Sequence, residues 1–348
     1  MCRLAASLLL SIGLSAGLSL KPSVAWSGDD VSFKAADLNT GEALSTDVPG
    51  LVFMPDGDGP FPAVVLMPHC HGIQSTNVRY DWPYVLNKNG YAVLTVDSFA
   101  PQGTTTCVGL AFAESRQKQA SYAVGALNYL AARSDIDSQR IGVMGFSEGA
   151  FVINDFLAPE SHKRTWKNGF AAAVTTYGGC RRLRLHSPAD MPLLILAPEH
   201  DKRLVGVCIS TAAASDHIYL QILKGAYHGF DNTDMPGFKT DNAGNVMTHS
   251  SSATDLARKY TVEFFDAFIG KNRGQKLQRK VMLGADQANE ALYQWVSDNT
   301  ERLCAMDQGD FAETLMELVE AWVSQEKVVP EMTVSKFKAK FIRNKTCS

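Results

Sequence analysis

The segment Gly145-Phe146-Ser147-Glu148-Gly149 sets a hydroxyl between two glycines, where an apolar run meets a helical one. Arg140 to Phe146 reads as a buried strand and Ala150 to Leu157 as the helix after it. A serine on so tight a strand-to-helix turn projects its Oγ clear of the backbone, and glycines without a Cβ let helix and strand approach closely. The amide of Glu148, first in the helix, can then face negative charge developing on a carbonyl oxygen. The chemistry this favours is nucleophilic attack by Ser147 on an acyl carbon.

A hydroxyl nucleophile needs a base, and the base needs an orienting acid. Pro198-Glu199-His200-Asp201 follows the apolar strand Leu193 to Ala197, and Ala226-Tyr227-His228-Gly229-Phe230 follows a strand ending near Leu223. Both loops leave the C-terminal ends of strands, the edge where sites of open α/β sheets assemble. Asp201 is the expected acid, with Glu199 the alternative. His228 is the expected base, with His200, His217 and His249 the alternatives. His217 opens a strand at the opposite edge, and His249 lies in a polar loop with no strand before it.

Pro68-His69-Cys70-His71-Gly72 is the third segment with chemical potential. Histidine and cysteine are good zinc ligands, but immediate neighbours in a strand-end loop point in divergent directions and no second ligand cluster accompanies them. The expectation is therefore no metal and no organic cofactor. Instead, the backbone amide of Cys70 is the expected second oxyanion donor beside that of Glu148, with His71 lining the pocket.

The elements that must position these residues alternate between strand and helix. Val31 to Ala36 and Gly50 to Met54 read as an opening antiparallel pair. Phe61 to Met67, Tyr91 to Asp97, the strand before Ser147, Gly169 to Tyr177, Leu193 to Ala197 and Ile218 to Leu223 are continuous apolar runs, as buried parallel strands are. Helices are expected over Trp82 to Asn89, over Ala111 to about Arg133, and over Ser252 to Ile269. Ala113, Ala120, Val124, Leu127 and Leu130 form the apolar face of the second; Leu256, Tyr260, Phe264, Phe265 and Phe268 form that of the third. Such alternation predicts an α/β class with a mostly parallel sheet of about eight strands, flanked by helices.

Of 348 residues, 45% are hydrophobic and 20% charged, with a net charge of −3. That balance, without a basic cluster, argues against a nucleic-acid surface. Met1-Cys2-Arg3, the apolar Leu4 to Leu20 and the small residues of Ser23-Val24-Ala25 read as a signal peptide, residues 1–25, cleaved after Ala25. The expected localisation is exported, periplasmic or secreted, with no stable membrane span after cleavage. Residues 26–274 are then the main domain. Beyond the polar break Lys271 to Lys276, residues 275–348 read as a C-terminal helical extension. Its amphipathic stretches Ala285 to Leu303 and Phe311 to Gln325 carry Leu315, Leu318, Trp322 and Val323, which need a surface to cover them. Cys2 leaves with the signal, so six of the seven cysteines remain; in an oxidising compartment an even number favours disulfides, and six allow fifteen pairings.

Taken together, Pro68-His69-Cys70-His71-Gly72, Asp97-Ser98-Phe99-Ala100-Pro101-Gln102-Gly103, Gly145-Phe146-Ser147-Glu148-Gly149, the Asp201 loop and Tyr227-His228-Gly229-Phe230 resemble the dienelactone hydrolase family over roughly residues 45 to 270. This chain looks like an exported serine variant, since the type enzyme carries cysteine at the elbow. The resemblance implies an eight-stranded α/β-hydrolase fold and hydrolysis of a small-molecule ester or lactone by Ser147, His228 and Asp201. Phe99 and Tyr227, inside the matching motifs, join His71 as expected substrate-binding residues. A peptidase or amidase on the same fold, or a non-catalytic binding protein, are the alternatives. In α/β-hydrolases the strands before Cys70 and Cys107 are neighbours, as are those before Cys180 and Cys208. The fold thus implies Cys70–Cys107 and Cys180–Cys208, leaving Cys304–Cys347 to tie down the extension. The sequence does not fix an oligomeric state.

Overall fold

The computed structural model describes residues 28–158, 165–180, 191–201, 217–235, 237–240 and 246–274, with Leu183, Cys208, Thr211 and Ala212. The expected signal peptide, the expected extension from residue 275 and the expected Cys304–Cys347 bond lie outside the described residues.

Eight strands form one sheet: β1 (Asp29–Ala36), β2 (Ala43–Phe53), β3 (Phe61–Met67), β4 (Ala92–Val96), β5 (Ile136–Phe146), β6 (Ala172–Thr176), β7 (Leu193–Pro198) and β8 (Ile218–Leu223). Their spatial order is β1-β2-β4-β3-β5-β6-β7-β8. β1 pairs antiparallel with β2, and β2 antiparallel with β4; every later pair is parallel. This is the α/β-hydrolase fold, with the antiparallel opening at one edge. The antiparallel pair runs longer than the apolar residues alone suggest, because half of each strand faces solvent and carries polar residues such as Ser45, Thr46 and Asp47.

Alternation along the parallel strands divides the core into two layers. Ala63, Val65 and Met67 of β3, Ile141 and Val143 of β5, and Leu193 and Ile195 of β7 face one side. There they meet α2 (Phe112–Ala131), through Ala120, Val124, Leu127 and Leu130. Val64 and Leu66, Met144 and Phe146, and Leu194 and Leu196 face the other side. That layer is closed by α1 (Trp82–Lys88) and by α4 (Ser251–Phe268), the latter through Ala253, Ala257, Phe264 and Phe265. Between them in the chain lies α3 (Glu148–Val152), continued by a wider turn over Ile153–Leu157. Removing a fully buried ring such as Phe264 or Phe265 costs about 3–5 kcal/mol.

Two expected face residues lie elsewhere. Ala113 is exposed, because the first turn of α2 projects past the sheet, and burial begins at Ser115. Leu256 is 41% exposed on the outer side of α4, where the small Ala253 and Ala257 take the contact positions. A short hairpin of β9 (Lys239–Thr240) and β10 (Val246–Met247) precedes α4.

Candidate active site

Ser147 follows β5 with φ +45° and ψ −104°, a left-handed conformation that strains any residue with a Cβ and persists only where the surroundings impose it. Here they do. The Ser147 N–H donates to the Thr176 carbonyl (3.0 Å) and the Gly149 N–H to that of Pro68 (3.0 Å), while the Ser147 carbonyl accepts from Phe151 N–H (2.9 Å). The strand and helix backbones meet so closely that a Cβ on Gly145 would lie 2.5 Å from the Gly149 carbonyl, and one on Gly149 2.3 Å from that of Met67.

The loop after β8 brings His228 to this turn. Its Nε2 lies 2.9 Å from Ser147 Oγ, and its Nδ1 lies 2.6 Å from Asp201 Oδ2 on the loop after β7. Asp201 is 6% exposed. The alternatives are engaged otherwise: the Glu199 carboxylate accepts from Gly225 N–H at 2.5 Å, and the His200 ring packs on Tyr227 with centroids 4.4 Å apart. His217 precedes β8 at the far end of the sheet. Met247 pairs with His228 through a backbone bridge, which fixes that loop against the β9–β10 hairpin.

A cavity beside Ser147 is lined by His69, Cys70, His71, Tyr177, His228, Gly229, Asn232, Met235 and Met247. Cys70 and His71 therefore stand where the sequence placed them. Cys70 is bonded to Cys107, with Cα atoms 4.8 Å apart, and its carbonyl accepts from Cys107 N–H at 3.0 Å. Cys180 is bonded to Cys208, Cα atoms 5.0 Å apart. Glu148 opens α3 directly after Ser147, and Cys70 lies in the cavity lining.

Two expectations are corrected. Phe99 is not part of the lining: it is fully buried, and its ring lies under Gly72, so that a Cβ there would sit 3.2 Å from it. Tyr227 also turns away, held between His200 and Phe238 by ring contacts at 4.4 and 5.7 Å. The aromatic residue at the site is Tyr177, one position beyond β6, also at φ +45°. Its ring lies 4.9 Å from that of His228, and its hydroxyl donates to Asp231 Oδ1 at 2.7 Å.

Asp231 heads a polar network that sequence reasoning missed. Fully buried, it also accepts from Trp82 Nε1 (2.6 Å) and Asn77 Nδ2 (3.2 Å) at Oδ2. Asn77 Oδ1 in turn meets His69 Nε2 at 3.2 Å, and His69 Nδ1 accepts from the His71 N–H at 3.2 Å. That last bond leaves Nδ1 without a proton, so the hydrogen of the neutral ring sits on Nε2. Burial holds the His69 imidazole down at about 4, against the opposing pull of Asn77 and the Asp231 charge. Burial, reinforced by the same carboxylate, pushes the Tyr177 phenol well above its usual range. The network carries the loop between β3 and α1 onto the loop that bears His228. Its members are 69, 77, 82, 177 and 231 in the chain, and nothing short of the folded topology brings the last two to the first three.

Glu148 bears a second partner besides its amide. Its buried side chain receives Arg116 of α2 in two parallel hydrogen bonds, 2.9 and 2.8 Å.

A model of the dienelactone hydrolase family matches residues 48–269. A solved dienelactone hydrolase from Anabaena variabilis is 17% identical, with a TM-score of 0.51 over 68% of this chain and 98% of that one. An acylaminoacyl peptidase from Pyrococcus horikoshii is 13% identical, TM-score 0.50, over 73% of this chain and 44% of that one. A dienelactone hydrolase-like promiscuous phosphotriesterase from metagenomic libraries is 16% identical, TM-score 0.49, over 70% and 100%. At these identities the first two likenesses establish a shared fold. None of the curated proteins matches the sequence.

Proposed function

The chain belongs to the dienelactone hydrolase family, and from that premise we propose that it is a serine hydrolase of carboxylic esters or lactones, working through an acyl-enzyme. The observation carrying this reading is the continuous path Ser147 Oγ–His228 Nε2 (2.9 Å) and His228 Nδ1–Asp201 Oδ2 (2.6 Å) at a strained elbow. His228 takes the Ser147 proton as Oγ attacks the acyl carbon, and Asp201 fixes the imidazole tautomer and stabilises the imidazolium. The amides of Cys70 and Glu148 hold the oxyanion. The C–O bond then breaks as His228 returns its proton to the leaving alcohol. Water, deprotonated by His228, frees the acid and restores Ser147.

The cavity supports a small, apolar acyl group. Its volume of about 70 Å³ is small for a ligand pocket, and Met235 and Met247 give it unbranched, adaptable walls. A fluorophosphonate probe that labels the wild type but not Ser147→Ala, and p-nitrophenyl esters cleaved faster as acetate or butyrate than as decanoate, are the expected results. Faster cleavage of p-nitroanilides than of esters would favour a peptidase instead, and no labelling of folded wild type a binding role.

In the same reading residues 1–25 are a signal peptide, 26–274 the hydrolase domain and 275–348 a helical extension of an exported protein. Two disulfides within the domain support an oxidising compartment. No helix among the described residues is long and apolar enough to cross a membrane. N-terminal sequencing of exported material tests the boundary at Trp26.

A further inference from the structure

The turn that carries Ser147 also carries a carboxylate that ought to oppose its chemistry. Glu148 supplies an amide to the oxyanion in the reading above, and covalent geometry keeps its own carboxylate within about 5 Å of that amide. The side chain is 5% exposed, so water screens it poorly. A bare negative charge there would repel the oxyanion as it forms.

Arg116 answers that charge from the neighbouring helix. Its Nε and Nη2 donate to the two Glu148 oxygens at 2.9 and 2.8 Å, and Nη1 lies 3.7 Å from Asp155. The guanidinium is stacked 4.2 Å above the Phe151 ring and 5.4 Å from that of Phe112. The guanidinium thus packs on aromatic rings while its edge pairs with the carboxylate, a geometry that a lysine ammonium does not reproduce. Neither Arg116 nor Glu148 is among the described residues that line the cavity.

We propose that Arg116 is a positioning residue for catalysis: it neutralises Glu148 and pins the first turn of α3, so that the Glu148 amide meets the oxyanion without a competing charge. The proposal rests on the serine-hydrolase reading. It assigns the pair an effect on the transition state and almost none on substrate binding.

The test is steady-state kinetics of Arg116→Met, Arg116→Lys and Arg116→Met/Glu148→Gln on p-nitrophenyl acetate, with thermal melts to establish folding. Arg116→Met should lose kcat about 10- to 100-fold, from a unit charge about 7 Å from the oxyanion in a partly screened site, with KM within about threefold. Arg116→Lys, which keeps the charge, should lose less. Adding Glu148→Gln to Arg116→Met should recover at least tenfold in kcat, because the carboxylate next to the oxyanion amide is gone and only Asp155, which Arg116 meets at the longer 3.7 Å, has lost its arginine. If Arg116→Met does not fold, Arg116→Gln is read in the same way. A folded neutral variant with wild-type kcat overturns the proposal, and so does a double variant no faster than the single one. Ser147→Ala separates the two layers of argument: full activity in that variant sinks the hydrolase reading itself, whereas an inactive Ser147→Ala beside an unaffected Arg116→Met sinks only this inference.

Discussion

Lowering the pH should weaken the fold through one imidazole. His69 is 5% exposed, holds its proton on Nε2 toward Asn77 and has its affinity for a second proton cut to about 4 by burial. In the unfolded chain the same ring titrates near 6.5. Between those values the unfolded state binds a proton that the native state refuses, so stability falls as pH drops through this window. Above about pH 6.5 both states hold a neutral ring and His69 adds no pH dependence. The slope inside the window is about 1.4 kcal/mol per pH unit, so the move from pH 7 to pH 4.5 removes about 3 kcal/mol. Urea unfolding at both values, for wild type and His69→Gln, isolates this contribution because every other titrating group is common to the two proteins. The wild type should lose about 2–3 kcal/mol more than the variant over that interval. Equal losses would refute the claim that burial holds His69 neutral.

Four further outcomes follow from the same geometry. Asp201→Asn should lower kcat by about 10³- to 10⁴-fold with a wild-type melting temperature, because the amide no longer secures the His228 tautomer; burst kinetics with p-nitrophenyl acetate check this. Gly149→Ala should cost about 1–3 kcal/mol and at least 100-fold in kcat/KM, since its Cβ would lie 2.3 Å from the Met67 carbonyl and must push helix from strand. Cys70→Ser with Cys107→Ser should lower stability by about 4 kcal/mol, from a separation of 37 residues. The same pair should lower kcat more than it raises KM, as the Cys70 amide loses its brace. Asp231→Asn replaces one of two acceptor oxygens with a donor, facing either the Tyr177 hydroxyl or the Trp82 and Asn77 N–H groups; a loss of about 3–5 kcal/mol in chemical denaturation is expected.

Some of this molecule was legible residue by residue. Apolar runs such as Phe61 to Met67 mark parallel strands because both faces are buried, and a strand buried on both sides leaves no room for polar alternation. Gly145 and Gly149 announce the turn around Ser147 because a Cβ at either would lie 2.3–2.5 Å from backbone atoms of the facing segment. Asp201 and His228 are legible as candidates because each lies in the loop after a recognisable strand, and those two loops leave the same edge of the sheet. Strand ends, however, say nothing of where a ring points. Phe99 and Tyr227 sit in the expected loops, yet one turns into the core and the other toward His200, since rotamers answer to neighbours that the local sequence does not name. The cavity is instead shaped by Tyr177, Met235 and Met247, which carry no local signal. The Asp231 network and the Arg116–Glu148 pair belong to the tertiary structure alone. Each joins polar groups from segments 32 to 154 residues apart, and a buried polar group becomes conspicuous only once packing has removed water and obliged it to find a partner.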